Sequence, residues 1–155
     1  MKESEFQFNG SLLNQKTLFD HPSGLFVLFF TEMWERFSYY GMRAILVLFL
    51  TSAIFNDGWG WEREDALILY GWYTGLVYFT PLIGGFIADK FLGYKLATIF
   101  GALIMSFGHG FLAMEGFSNL FFFVGLTCLI LGNGLFKPNI NSIVGQLYKD
   151  KDIRK

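Results

Sequence analysis

Ala66–Ala88, ALILYGWYTGLVYFTPLIGGFIA, runs for 23 residues without a charged side chain. A helix rises 1.5 Å per residue, so about 20 such residues match a hydrocarbon core of about 30 Å. A membrane-barrel strand needs only about 10 residues and alternates apolar with polar positions, which this stretch does not do. Two similar runs follow. Leu96–Met114 has 19 residues and Gly116–Phe136 has 21, all without Asp, Glu, Lys or Arg. Composition agrees with this reading. Of 155 residues 53% are hydrophobic, 16% are charged and 20 are Phe, which is too little charge and too much Phe for one small soluble core.

The segment ahead of these runs, from about residue 24 to 54, is apolar at both ends but carries Glu32, Glu35, Arg36 and Arg43 inside. We expect an all-α polytopic membrane protein with four transmembrane helices at about 24–54, 66–88, 96–114 and 119–147. Residues 1–22 and 149–155 are read as tails. The links Asn56–Asp65, Asp89–Lys95 and Glu115–Asn119 are short, which forces neighbouring helices to run antiparallel. Trp59 and Trp61 suit a membrane interface. Lys2, Lys16, Lys90, Lys95, Lys149, Lys151, Arg154 and Lys155 fall on one side of this arrangement and only Arg63 on the other. The positive-inside rule then puts both termini in the cytoplasm. The first twenty residues are polar, so we expect no cleavable signal there.

Other classes are set aside. A net charge of −1 gives no electrostatic case for binding nucleic acid. Cys128 is the lone cysteine, so no intrachain disulfide is possible, and it reads as a small packing residue. There is no Ser/His/Asp set, metal-ligand spacing or phosphate loop, so we expect no enzyme, no cofactor and no metal.

A charge at the bilayer centre costs about 2.5–3.5 kcal/mol on insertion scales. At 100° per residue, Glu32, Glu35, Arg36, Tyr39, Tyr40 and Arg43 fall within an arc of about 140°, with an apolar back. Such a face must meet a protein interior or a water-filled cavity. Glu32 and Arg36, at i and i+4, could simply pair. Arg43 would then still lack a carboxylate on its own helix. In the last helix Lys137 precedes Pro138, where a kink is allowed. Asn133, Lys137 and Asn141 share a face there. Lys137 could line the same cavity or snorkel to the interface. Tyr70, Tyr73, Thr74 and Tyr78 occupy one arc of the second helix and could pack or bind. His109 could carry protons or serve packing.

Three stretches are familiar together. Glu32-Met-Trp-Glu35-Arg36 followed by Tyr39-Tyr40-Gly41-Met42-Arg43 resembles the ExxER…YYGMR signature of proton-dependent oligopeptide transporters, a family of the major facilitator superfamily. Gly84-Gly85-Phe-Ile-Ala88-Asp89-Lys90-Phe-Leu-Gly93-Tyr-Lys95 is similar to that superfamily's loop motif between its second and third helices. Phe136-Lys137-Pro138-Asn139 is similar to the family's motif in helix 4. The resemblance implies symport of di-/tripeptides with protons by alternating access, in the cytoplasmic (inner) membrane. It implies a proton-coupling role for Glu32, Glu35, Arg36 and Lys137. It implies substrate binding by Arg43, Tyr39, Tyr40, Tyr78 and Lys137, and conformational switching at Gly85, Asp89, Lys90 and Gly93. Expected partners are a di-/tripeptide, protons and the lipid bilayer, with no nucleic acid.

The family has a twelve-helix core in two six-helix halves, each of two three-helix repeats. The chain therefore reads as an N-terminal portion, one repeat plus the first helix of the next, whose C-terminal remainder is missing. A non-transporting membrane module or assembly partner derived from such a transporter is the alternative. A related symporter for nitrate or another anion is a weaker one.

Overall fold

The structure, a computed structural model, describes residues 17–19, 21–53 and 58–147. The basic tail residues Lys2, Lys16, Lys149, Lys151, Arg154 and Lys155 lie outside the described residues. A two-residue strand pair, β1 (Thr17–Leu18) against β2 (His21–Pro22), precedes four helices. These are α1 (Ser23–Thr51), α2 (Arg63–Ile87), α3 (Tyr94–Ala113) and α4 (Asn119–Gln146). Three stretches, Arg63–Leu92, Tyr94–Ala113 and Asn119–Gln146, are long and apolar enough to cross a membrane. α1 is long enough, at about 43 Å, but its four charges break the apolar run.

Helix ends depart from the charge-free runs in an informative way. α1 stops at Thr51, short of the expected 54. Asp89–Lys95, expected as a link, is mostly helical: Ala88–Leu92 continue α2 as a π-helical turn, and only Gly93 separates it from α3. Charges mark where a helix leaves apolar surroundings, not where its backbone hydrogen bonds end. The break needs Gly93, whose φ of 73° is left-handed.

α4 is the central element. It has ten buried residues, against four on each of the other helices. It packs against α2 and α3 through small residues, as helices in lipid commonly do. Gly84 of α2 abuts Gly134, and Gly101 of α3 abuts Gly132. The Gly84 contact has a specific origin. Pro138 has no N–H to give the carbonyl four residues earlier, and that carbonyl, of Gly134, is the atom lying against Gly84.

The apolar core joins α1, α2 and α4. Leu46 and Leu50 pack with Ala66, Tyr73, Val77, Phe122, Leu126 and Leu129. Trp59 caps it, with its ring 4.6 Å from that of Phe122 and 5.9 Å from that of Phe49. The link after α1 folds back to allow this, with Trp61 N–H donating to Leu50 O at 2.8 Å. Trp59 and Trp61 are thus half-buried in an aromatic cluster. Trp59 Nε1 also donates to Glu115 Oε2 at 3.3 Å, tying together the two loops at this end.

Candidate functional site

The charged face of α1 meets α2 and α4 through a chain of polar contacts. Arg36 Nη2 donates to Glu32 Oε1 at 3.1 Å, and its Nε lies 3.5 Å from Glu35 Oε2. Arg36 and Glu32 are half-exposed, whereas Glu35 is buried. The other oxygen of Glu35 accepts from Asn133 Nδ2 of α4 at 2.7 Å. One guanidinium is therefore shared by two carboxylates, and the buried one is also held by a neutral amide from another helix. That is the bonding a buried carboxylate requires.

Two turns along α1, Arg43 finds a phenol and, among the described residues, no carboxylate. Its Nε and Nη2 both donate to the Tyr70 hydroxyl of α2, at 2.8 and 2.6 Å. The guanidinium also lies 5.5 Å from the ring centres of Tyr39 and Tyr70. One edge of the fork is thus engaged and the other remains for a planar anion. Lys137 of α4 is half-buried with its Nζ 5.0 Å from the ring centre of Tyr78 of α2. Tyr39 is buried against Tyr40, which is exposed.

The structure thus brings Glu32, Glu35 and Arg36 together, places Tyr39 beside Arg43, and places Tyr78 beside Lys137. Gly85, Asp89, Lys90 and Gly93 lie elsewhere, around the turn between α2 and α3. There Asp89 is exposed and the Lys90 ammonium lies over the rings of Phe86 and Phe91, at 5.6 and 5.4 Å. Gly85 has room for a side-chain carbon, the nearest neighbour being Pro138 Cβ at 3.8 Å. The crowded member of the pair is Gly84.

Sequence reasoning placed Asn133 and Tyr70 on polar faces without giving either a partner. The contact that ties Glu35 to α4 and the one that holds Arg43 were the missing pieces. It also missed the pairing of His109 of α3 with Ser38 of α1, Nε2 to Oγ at 2.6 Å. Only the relative rotation of the helices reveals such partners. Glu35 also borders a cavity of about 230 Å³ lined by residues of all four helices.

The chain is similar to known proteins over most of its length. The family profile PTR2, of the POT family, matches residues 95–155. The peptide transporter YePEPT of Yersinia enterocolitica is 43% identical over 141 residues, which cover 90% of this chain and 28% of that protein. A di-/tripeptide transporter of Lactococcus lactis subsp. cremoris is 44% identical over 144 residues, covering 91% of this chain and 29% of that protein. A crystal structure of a mutant of peptide transporter POT in complex with alafosfalin aligns with a TM-score of 0.88 at 45% identity, covering 94% of this chain and 30% of that one. The chain spans under a third of the length of the relatives it matches. Within that span it is similar to the POT family of transporters, membrane carriers and not enzymes.

Proposed function

We propose that the chain forms part of a proton-coupled symporter of di- and tripeptides that works by alternating access in a bacterial cytoplasmic membrane. In this reading both of its termini face the cytoplasm. The carrying observation is the contact line Glu32–Arg36–Glu35–Asn133, which runs from α1 to α4 beside Arg43 and Lys137. The relatives named as peptide and di-/tripeptide transporters support the substrate class.

The chemistry follows from the charges. Arg43 and Lys137 offer two cations, backed by the rings of Tyr39 and Tyr70 and of Tyr78, and among the described residues neither has a carboxylate partner in contact. A peptide's carboxylate would be drawn to them, and Tyr39, Tyr40 and Tyr78 would flank the peptide. Arg36 is divided between Glu32 and Glu35. An arriving anion that draws Arg36 aside leaves a buried carboxylate without its cation, and such a group takes up a proton. Proton and peptide then favour each other's binding. The membrane potential contributes about 2.3 kcal/mol per charge per 100 mV to the inward step. The turn holding Gly85, Asp89, Lys90 and Gly93 would act as the joint on which the helices rock.

The test is dipeptide uptake by a full-length transporter carrying this segment, reconstituted in liposomes. Glu35→Gln keeps an oxygen for Asn133 but cannot exchange a proton. It should abolish accumulation driven by a proton gradient and spare peptide counterflow. Undiminished accumulation would refute the assignment.

A further inference from the structure

Glu35 stands between two spaces. On one side are Arg36, Arg43, Lys137 and Tyr78, the cations and ring proposed to meet the peptide. On the other is the cavity of about 230 Å³, in whose wall those four residues take no part among the described residues. Its polar lining comes from Thr31, Glu35 and Ser38 of α1, Ser106 and His109 of α3, and Asn133 of α4. The titratable groups bordering it are Glu35 and Tyr39 of α1, Tyr73 of α2 and His109 of α3, while α4 contributes none.

Two observations suit this space to water, although Met42, Val77, Met105, Leu129 and Phe136 make much of its wall apolar. The volume holds several molecules. The hydroxyls of Thr31 and Ser106 donate to their own helix backbones, at 2.8 and 2.9 Å, which leaves their lone pairs as acceptors. His109 is exposed, four residues or about 6 Å from the end of α3. That is the helix end beside the Trp59–Glu115 contact.

We propose that this cavity is a water-filled proton path to Glu35, meeting the peptide face only at Tyr39, with the His109–Ser38 pair as its outer relay. The proposal rests on the reading of Glu35 as the coupling acid. His109 accepts a proton from bulk water on one ring nitrogen and gives one up from the other to Ser38 Oγ. The hydroxyl passes its own proton to cavity water, and that water protonates the Glu35 carboxylate. Each relay group loses one proton and gains one, so the net change is a single proton moved. A bound peptide therefore does not block the proton's approach, and the two can load in either order.

The experiment uses the full-length transporter in liposomes and two assays, gradient-driven dipeptide uptake and dipeptide counterflow, which needs no net proton movement. His109→Gln and Ser38→Ala interrupt the relay, and Ala102→Phe fills the cavity from the α3 wall. Each should slow gradient-driven uptake about tenfold or more and leave counterflow in place, and Ser38→Thr should retain uptake. Unchanged uptake in His109→Gln and Ala102→Phe overturns the path. So does an equal fall in both assays, which marks a packing role. Should Glu35→Gln abolish uptake while these variants do not, the path fails alone and the coupling role of Glu35 stands. Should Glu35→Gln leave accumulation intact, both fail.

Discussion

Gly84 and Gly85 are neighbours in α2, and the structure predicts opposite consequences for the same substitution. A Cβ at Gly84 would lie 2.5 Å from the carbonyl carbon of Gly134 and 2.9 Å from the nitrogen of Leu135, and closer still to the Gly134 oxygen. Ordinary contact begins at 3.4 Å, so the helices must part by about 1 Å or more. Both sides of the clash are backbone, so no rotamer can relieve it. Overpacking of this kind costs about 1–3 kcal/mol, and here the upper end applies. At Gly85 the nearest atom to the added carbon is Pro138 Cβ at 3.8 Å, which is ordinary contact. Both variants gain the same helix propensity, about 1 kcal/mol, so it cancels when they are compared. Gly84→Ala should therefore be less stable than Gly85→Ala by about 3 kcal/mol. The measurement is equilibrium unfolding of a full-length transporter carrying this segment, in detergent or bicelles. Equal stability of the two variants would refute the claim that α2 and α4 meet backbone to backbone at Gly84.

The remaining predictions concern single contacts. Tyr70→Phe removes the acceptor that fixes one edge of the Arg43 guanidinium, so peptide affinity should fall several-fold while proton dependence persists. Arg43→Lys should lose more, because an ammonium cannot serve Tyr70 and a carboxylate in one plane; peptide binding by calorimetry compares the two. Gly93→Ala forces a Cβ into left-handed backbone at φ 73° and should cost about 1–2 kcal/mol of stability, read from thermal unfolding, although no atom lies within 4 Å of the added carbon. Leu50→Ala, at a fully buried position, should cost about 2–5 kcal/mol. Glu35→Gln should change stability far less, and thermal midpoints of the two variants check that order.

What could be read from the sequence depended on whether the relevant geometry lies within one helix. Charge-free runs found α2, α3 and α4 because lipid demands a continuous apolar length of each. The polar face of α1 could be read for the same reason: residues 32, 36, 39 and 43 share a face in any helix. The partners across helices were not legible. Asn133 lies 98 residues from Glu35, and whether it meets that carboxylate depends on how α4 is turned about its axis. That rotation is set by the glycine contacts with α2 and α3, not by any pattern local to Asn133. The fate of Arg43 has the same cause. Its lack of a carboxylate was visible, but the choice among four polar side chains on α2 was settled only by packing. The turn after α2 failed differently, since Asp89 and Lys90 signal a boundary to apolar surroundings while the backbone coils on to Leu92.

The two kinds of contact in this bundle divide the labour. α2 and α3 each touch α4 through backbone and small side chains, which permit no sliding without a clash. The half of α1 that ends at Thr51 is fixed to them by apolar packing through Leu46 and Leu50. The other half, which carries Glu32, Glu35, Arg36 and Ser38, is joined through hydrogen bonds from side chains, Glu35 to Asn133 and Ser38 to His109. Such a bond can be exchanged for water or a ligand at a net cost of about 0.5–1.5 kcal/mol when neutral, as between Ser38 and His109, and about 1.5–3 kcal/mol when it serves a carboxylate, as at Glu35. An apolar core cannot be exchanged in that way. Three of the four charges of α1, Glu32, Glu35 and Arg36, therefore sit on the half of the helix that the fold holds least tightly, while Arg43 lies on the other. A carrier needs this arrangement if the protonation of one carboxylate is to change how that helix lies against its neighbours.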